Sequence, residues 1–340
     1  MTVTGADPRR VAFVGAGPRA VMLLERLFAR LEEFAPPLEV TLIDPHPPGA
    51  GRIWRRDQSP LLKLNSMAQD VTVFTDETST IDGPVRPGPT LIGWAELVRD
   101  GALPEVAIDD PQVAAELHSL RGDSFPTRRL HSYYLDWFWR TTVAAAPPHT
   151  TVRWVRGTAT GVRSEGAGFV VDLVDGGGIA ADLVVYALGH NGRQPAGQTA
   201  DVIADAARAG LTYVPPAFTA DADLSALAPG QDVIVRGMGL AAVDLVVLLA
   251  EGRGGRFVRE GDSTLRYEPS GLEPRLHIGS RRGVPYRSKV SSAIQGDPPQ
   301  LHIVTKSAIA QLVARPEPVD FERDVWPLIA QELEDRKSVV

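Results

Sequence analysis

At 340 residues, with 44% hydrophobic and 23% charged side chains, the chain has an ordinary globular composition and the length for about two domains. A formal charge of -7 argues against a nucleic-acid binder that works by neutralising phosphates, and the N-terminal MTVTGADPRR lacks the apolar segment of a signal peptide. No run is long and apolar enough to cross a bilayer, since the best candidate, Leu240 to Ala250, is broken by Asp244; no membrane partner and a cytoplasmic location are expected. Cysteine is absent, which excludes disulfide scaffolding and also flavin chemistry that relays electrons through a Cys pair.

The chain opens on VAFVGAGPRA. Val11 to Val14 read as a short buried strand that runs into Gly15-Ala16-Gly17-Pro18-Arg19-Ala20, followed by helical apolar spacing at Val21, Leu24, Leu27, Phe28 and Leu31. Strand, glycine turn and helix in that order make the phosphate-binding corner of a doubly wound sheet. Gly15 permits the tight turn, Gly17 lets a pyrophosphate approach the backbone, and Ala20 keeps helix and strand close. The helix N-terminus, with Pro18 and Arg19 in its first turn, offers free N–H groups to an anion. After the break at Ala35-Pro36-Pro37, LEVTLID (Leu38 to Asp44) reads as the second strand, and Asp44 at its end suits the ribose hydroxyls of an adenosine.

Pro47 to Trp54 is a loop too rich in Gly and Pro for regular structure, and residues 77 to 125 read as variable, partly helical surface. RRLHSYYLDWFWR has helical spacing with Leu130, Tyr134, Trp137 and Phe138 inward. A β-meander is expected from TVRWV, FVVDLVD, a Gly176-Gly177-Gly178 turn and DLVVYALGHN.

DVIVRGMGLAAVDLVVLLA (Asp232 to Ala250) repeats the opening logic with a corner at Gly237 and Gly239. An inserted hairpin turning at Gly261-Asp262 follows, then a strand ending in Ser280-Arg281-Arg282, and QLHIVTKSAIAQL supplies one more strand and helix. Arginine at that strand end suits the 2′-phosphate of NADP, which guanidinium binds bidentately; the bland alternative is a solvated basic turn. Asp244 alone reads as a polar residue at a helix edge, and Trp54 and Trp137 read as core aromatics before flavin-stacking groups. None of the seven His forms a metal-ligand spacing and no Gly-x-Ser-x-Gly elbow occurs, so neither a metal site nor a hydrolase is expected. A first corner suited to FAD and a second suited to NADPH imply that a nicotinamide delivers hydride to a flavin.

GAGPRAVMLLERL, VTLIDPHPPGAGRIW, LNSMAQDVTVFTD and VVYALGHN together resemble a bacterial family of FAD/NAD(P)-binding proteins described as FAD-dependent urate hydroxylase-like or aspartate N-monooxygenase-like. More distantly they resemble flavin-containing monooxygenases and ornithine or lysine N-hydroxylases, from about Val11 to Trp326. The resemblance implies two nested Rossmann-like domains of three-layer ββα build, an FAD-binding domain over 1–215 and an NAD(P)H-binding domain over 216–334. By the same resemblance Gly15, Gly17 and Ala20 hold the FAD pyrophosphate, Asp44 its ribose, and the loop of Arg52 and Trp54 lies beside the flavin. Asn65 matches an Asn near the reactive edge of the isoalloxazine, and Gly189 belongs to the segment that links the domains, where Leu188 replaces the usual Thr. Gly237, Gly239 and Asp244 match the NADPH corner, in which Ala241 replaces a Ser.

The function so implied is FAD-dependent, NADPH-using monooxygenation of a small polar, nitrogen-containing substrate by dioxygen through a flavin peroxide. Arg52, Arg55 and Arg56 are candidates to hold an anionic substrate, against the alternative of a solvated charged loop. Two other readings stand beside it: an NADPH-dependent flavin reductase or oxidase that releases hydrogen peroxide, and a non-catalytic nucleotide-binding fragment. The family's FAD domain is completed by a C-terminal return segment with a Gly-containing turn, whereas this chain has no Gly after Gly296. A truncated gene product whose authentic sequence ends near Glu334, with 335–340 as a non-native tail, is therefore expected, and resequencing the locus tests that.

Overall fold

The first strand, β1 (Arg9–Val14), ends in four consecutive apolar residues that are all buried, as a strand covered on two faces requires. Val11 and Phe13 pack on one side against Ala20, Leu24 and Phe28 of α1 (Pro18–Leu31), while Ala12 and Val14 pack on the other against Val171, Leu173 and Ala181. The computed structural model describes residues 7–31, 37–192, 194–261, 264–286 and 300–337. Ala35, Pro36, Asp262, Gly296 and the tail from Ser338, on which parts of the sequence reading fall, lie outside the described residues.

β1 pairs in parallel with β2 (Leu38–Ile43), with Val11 opposite Val40 and Phe13 opposite Leu42. With β3 (Thr150–Val155) and β7 (Leu183–Tyr186) they form a four-stranded parallel sheet of order β3-β2-β1-β7. A three-stranded antiparallel meander, β4 (Ala159–Glu165), β5 (Gly168–Leu173) and β6 (Gly178–Ala181), covers the face opposite α1, so the layers run β, β, α as expected.

The expected meander is corrected in its membership. TVRWV is the edge strand β3 of the parallel sheet and LVVY is its other edge, β7, while the true meander begins at β4, which sequence reading passed over. Ala-Thr-Gly-Val-Arg-Ser-Glu is polar and mostly exposed, so it carries little apolar alternation to announce a strand.

Residues 77–125 are partly helical as expected, but the expectation that they are surface is corrected. α2 (Leu91–Arg99) and α3 (Pro111–Ser119) bury Leu91, Trp94, Val113 and Leu117 against α4 (Arg128–Ala144) in the largest apolar cluster. Each helix is started by a capping side chain: Thr90 accepts from Gly93 N–H, Asp110 from Gln112 and Val113, and Thr127 from Leu130. Short helices of weak amphipathicity separated by polar loops give little pattern to read, and only tertiary packing reveals their buried faces. Leu130, Tyr134, Trp137 and Phe138 of α4 are buried as expected.

After α5 (Gln198–Arg208), a second parallel pair forms between β8 (Asp232–Arg236) and β11 (Arg275–Gly279), with Val235 opposite Ile278. Between them lie α6 (Leu240–Leu249) and the antiparallel hairpin of β9 (Arg256–Glu260) and β10 (Thr264–Glu268), at the place expected for an insertion. The chain divides into two compact units, Met1–Arg287 and Ser288–Val340. In the second, α7 (Lys306–Val313) is capped by Thr305, and a π-turn over Phe321–Val325 leads into α8 (Trp326–Lys337). The strand expected before α7 is not formed. The N–H groups of His302, Ile303 and Val304 instead donate to the buried Glu332 carboxylate at 2.7–3.2 Å, which removes them from any ladder. No helix among the described residues is long and apolar enough to cross a membrane.

Candidate functional site

The first glycine corner is closed by two segments remote in sequence. Gly15 has φ +103°, and a Cβ there would lie 2.3 Å from the Ala187 carbonyl oxygen, so both backbone conformation and close approach demand glycine. Ala187 N–H donates to Val14 O at 2.9 Å, which brings the Ala187-Leu188-Gly189 segment onto the corner. The loop beginning at Pro47 folds over from the other side: Gly49 N–H donates to Ala16 O at 2.9 Å, and a Cβ on Gly51 would lie 2.9 Å from Gly17 Cα. A Cβ on Gly49 would strike the Leu135 carbonyl of α4 at 2.4 Å, so this loop is wedged between corner and helix.

Gly17 is the exception in this crowded setting, because a Cβ there meets no heavy atom of the described residues within 4 Å. The N–H groups of Ala20 and Val21 both turn back to Gly17 O, whereas those of Gly17 and Arg19 have no intrachain hydrogen bond among the described residues. Open space over a glycine at a helix N-terminus with two free donors fits a pyrophosphate, since the backbone can approach it and the helix dipole favours its charge. Asp44 braces the same turn: one carboxylate oxygen accepts from Ala16 N–H and the other from His46 N–H, both at 2.8 Å, and each keeps a second lone pair. Gly15, Gly17, Pro18, Arg19, Ala20, Asp44 and the Gly49–Gly51 loop are thus brought together, with Gly189 two residues beyond Ala187.

The three arginines that follow Gly51 are each paired within the chain, Arg55 largely covered and Arg52 and Arg56 still partly in solvent. Arg52 and Arg55 both grip Asp221, the former at 2.8 Å, and Arg52 lies over the Phe218 ring at 4.4 Å. Burial pushes the Asp221 carboxyl up, but hydrogen bonds from Arg52 and Arg55 outweigh it and hold the group below its ordinary value. Arg56 pairs with Asp136 at 3.2 Å and covers the Tyr133 ring at 3.7 Å, and Tyr133 in turn donates to Asp109, holding that carboxyl low. Asn65 is exposed, next to the bridge between Lys63 and Thr127.

Trp54 packs on the α4 core and meets His131 edge to face, ring centroids 5.0 Å apart. His131 is buried, its Nδ1 has no hydrogen-bond partner among the described residues, and burial pushes its pKa down to about 4, so the ring is neutral. Trp137 lies in the apolar core, as the bland reading held.

At the second corner, Gly237 has φ +131° and its N–H donates to Gly279 O at 2.7 Å, joining the turn to the end of β11. Gly237, Gly239, Ser280, Arg281 and Arg282 consequently line one groove of about 1090 Å³, beside Tyr286, whose ring lies 4.8 Å from the Arg282 guanidinium. Asp244 departs from the bland reading. It pairs with Arg128 at 2.5 Å and accepts from Thr219 Oγ1 at 2.8 Å. Arg128 opens α4, where a cation opposes the helix dipole by about 0.3–1 kcal/mol, and Asp244 offsets that. Sequence reading missed Arg128, Thr219, Asp221 and His131. The lone charge in LAAVDLVVLL was a signal that a partner exists, but the partner lies 116 positions away.

Comparison with known proteins follows the same outline. A family described as FAD-NAD(P)-binding matches residues 12–191, just over half the chain. An L-aspartate N-monooxygenase (nitrosuccinate-forming) of Streptomyces davaonensis is 40% identical over 95% of this chain and 52% of its own length. A nitrosuccinic acid synthase of Aspergillus oryzae is 35% identical over 98% of this chain and 50% of its own. Among solved structures, the ornithine N-hydroxylase of Kutzneria sp. 744 is 21% identical with a TM-score of 0.41, covering 73% of this chain and 51% of that one. The chain spans about half the length of the curated relatives it matches. On its first corner, the closing loops and the match over residues 12–191, the chain belongs to the FAD-NAD(P)-binding family.

Proposed function

We propose that this chain carries the cofactor-binding machinery of a flavin monooxygenase that oxygenates the amine nitrogen of an aspartate-like amino acid, with FAD at the first corner and NADPH at the second. The observation that carries the reading is the open cradle over Gly17, framed by glycines that admit no side chain, in a chain 40% identical to an L-aspartate N-monooxygenase. We read 1–215 as the FAD-binding portion and 216–334 as the NAD(P)H-binding portion.

Bound flavin supplies the hydride acceptance and oxygen chemistry that no side chain can perform. The chain's own residues position it. The Gly17 and Arg19 N–H groups bind the pyrophosphate, and Asp44, fixed by Ala16 and His46, is held ready for the ribose. Trp54, backed by the neutral His131, forms an apolar wall on the loop beside the cradle and excludes water there. Asn65 is the polar group proposed at the reacting edge. At the second corner Arg281 and Arg282 supply guanidinium forks for a 2′-phosphate, with Ser280 beside them as a hydroxyl donor.

One observation favours a second reading. Arg52, Arg55 and Arg56 are all paired with carboxylates of the chain, so the candidate cations for an anionic substrate are already engaged. A flavin reductase releasing hydrogen peroxide needs no such cation. The test is to purify the protein with FAD, add NADPH without oxygen, then admit air with L-aspartate. Bleaching followed by an N-oxygenated product matching NADPH consumed supports the first reading. Bleaching with peroxide alone supports the second, and no bleaching rejects both.

A further inference from the structure

The two glycine corners are joined by a polar node. Arg128 Nη2 lies 2.5 Å from Asp244 Oδ2, Thr219 Oγ1 donates to the same oxygen at 2.8 Å, and Arg128 Nη1 reaches Thr219 Oγ1 at 3.5 Å. Both charged side chains are only 17% exposed. A second clip holds the same connecting segment: Asp221 between Arg52 and Arg55, Ala220 O accepting from Arg55 at 3.4 Å, and Phe218 beneath Arg52.

The placement gives the node its meaning. Arg128 stands one turn of α4 before His131, which supports Trp54, and two turns before Leu135, whose carbonyl fences Gly49. Asp244 stands five residues after Gly239 on α6, which is otherwise apolar and yet buries only Leu249 fully. A helix with so little apolar burial is not fixed in angle by packing alone, whereas a directional guanidinium–carboxylate contact fixes one. One end of the node therefore lies on the helix that shapes the first cradle, and the other on the helix that leaves the second.

We propose that Arg128, Thr219 and Asp244 are positioning residues that set the angle at which the second dinucleotide corner faces the first, and so the approach of nicotinamide to flavin. This rests on the cofactor reading above. None of the three touches a reacting atom; they act through α4 and α6. Misplacement by about 1 Å from a remote change costs on the order of 100-fold in rate, so loss of the node is expected to slow flavin reduction far more than it weakens binding.

The chain has no cysteine, so spin labels at Glu77→Cys and Leu265→Cys, both exposed, report the distance between the halves without background. In Asp244→Asn, Arg128→Gln and Thr219→Val the distance distribution should broaden, by about twofold in the charge variants, with no further broadening in the double variant. The exchange Arg128→Asp with Asp244→Arg should narrow it again. In the unlabelled protein, anaerobic bleaching by NADPH should slow about 10–100-fold in Asp244→Asn, while FAD content and reduction by dithionite stay unchanged. Unchanged distance distributions in all variants, or a bleaching rate in Asp244→Asn equal to that of the parent, overturn the proposal. The distance measurement needs no cofactor. A parent protein that fails to bleach thus rejects the NADPH reading while the labels still decide whether the node sets the angle.

Discussion

Two stretches of this chain obey the same local grammar, strand to glycine turn to helix, and they meet different fates. At the first, β1 lies inside a four-stranded sheet buried on both faces, Gly15 is pressed on the Ala187 carbonyl and Gly51 on Gly17. At the second, among the described residues, β8 has one parallel neighbour, Ile234 is 84% exposed, and no atom lies within 4 Å of a Cβ placed on Gly237. A glycine turn is local, but a closed cradle is made by segments that arrive from far along the chain. The first corner received two of them, and the second is reached by the Arg128–Asp244 contact from α4.

The largest expected effect separates the corners directly. Gly15→Ala faces both an unfavourable φ and a backbone collision, and should lower unfolding free energy by more than about 3 kcal/mol. Gly237→Ala faces the φ alone and should cost about 1–2 kcal/mol, so urea midpoints of the two variants rank them. Equal losses would mean that the closure at Ala187 contributes nothing.

Next is a pH effect confined to the first half. His131 keeps a pKa near 4 when folded against an ordinary 6.5, so the unfolded chain binds its proton first as pH falls. Stability from this group is complete above pH 6.5 and is lost progressively down to about pH 4, by about 3 kcal/mol in all. His131→Phe, which also removes the unpartnered Nδ1, should flatten that part of the stability–pH curve measured by urea unfolding. A curve of unchanged slope would show that another group carries it.

The smallest effect sharpens the second corner. Removing both guanidinia in Arg281→Ala with Arg282→Ala should weaken NADPH binding by about tenfold and leave NADH binding unchanged. Equal weakening of both nucleotides in parallel titrations would assign the arginines to general electrostatics instead of the 2′-phosphate.

How far the sequence disclosed this follows from range. Glycine spacing, the acid at Asp44 and the apolar period of α1 are local: Gly15 takes a positive φ, Asp44 braces the turn through Ala16 N–H, and α1 buries its apolar face. The exchange of TVRWV from meander to parallel sheet depends on β2, more than 100 residues away, and the burial of α2 and α3 depends on packing against each other and α4; neither left a periodic trace. Arginines 52, 55 and 56 show the same limit: a charge is visible in sequence, but the carboxylate that engages it is not.

The open space above Gly17 is the proposed pyrophosphate seat. Titrating FAD into the parent and Gly17→Ala proteins, with unfolding midpoints measured alongside, tests it. An added methyl that meets no protein atom should leave stability within about 0.5–1 kcal/mol while weakening FAD by at least about tenfold. FAD bound equally by both proteins would place the flavin elsewhere and contradict the account.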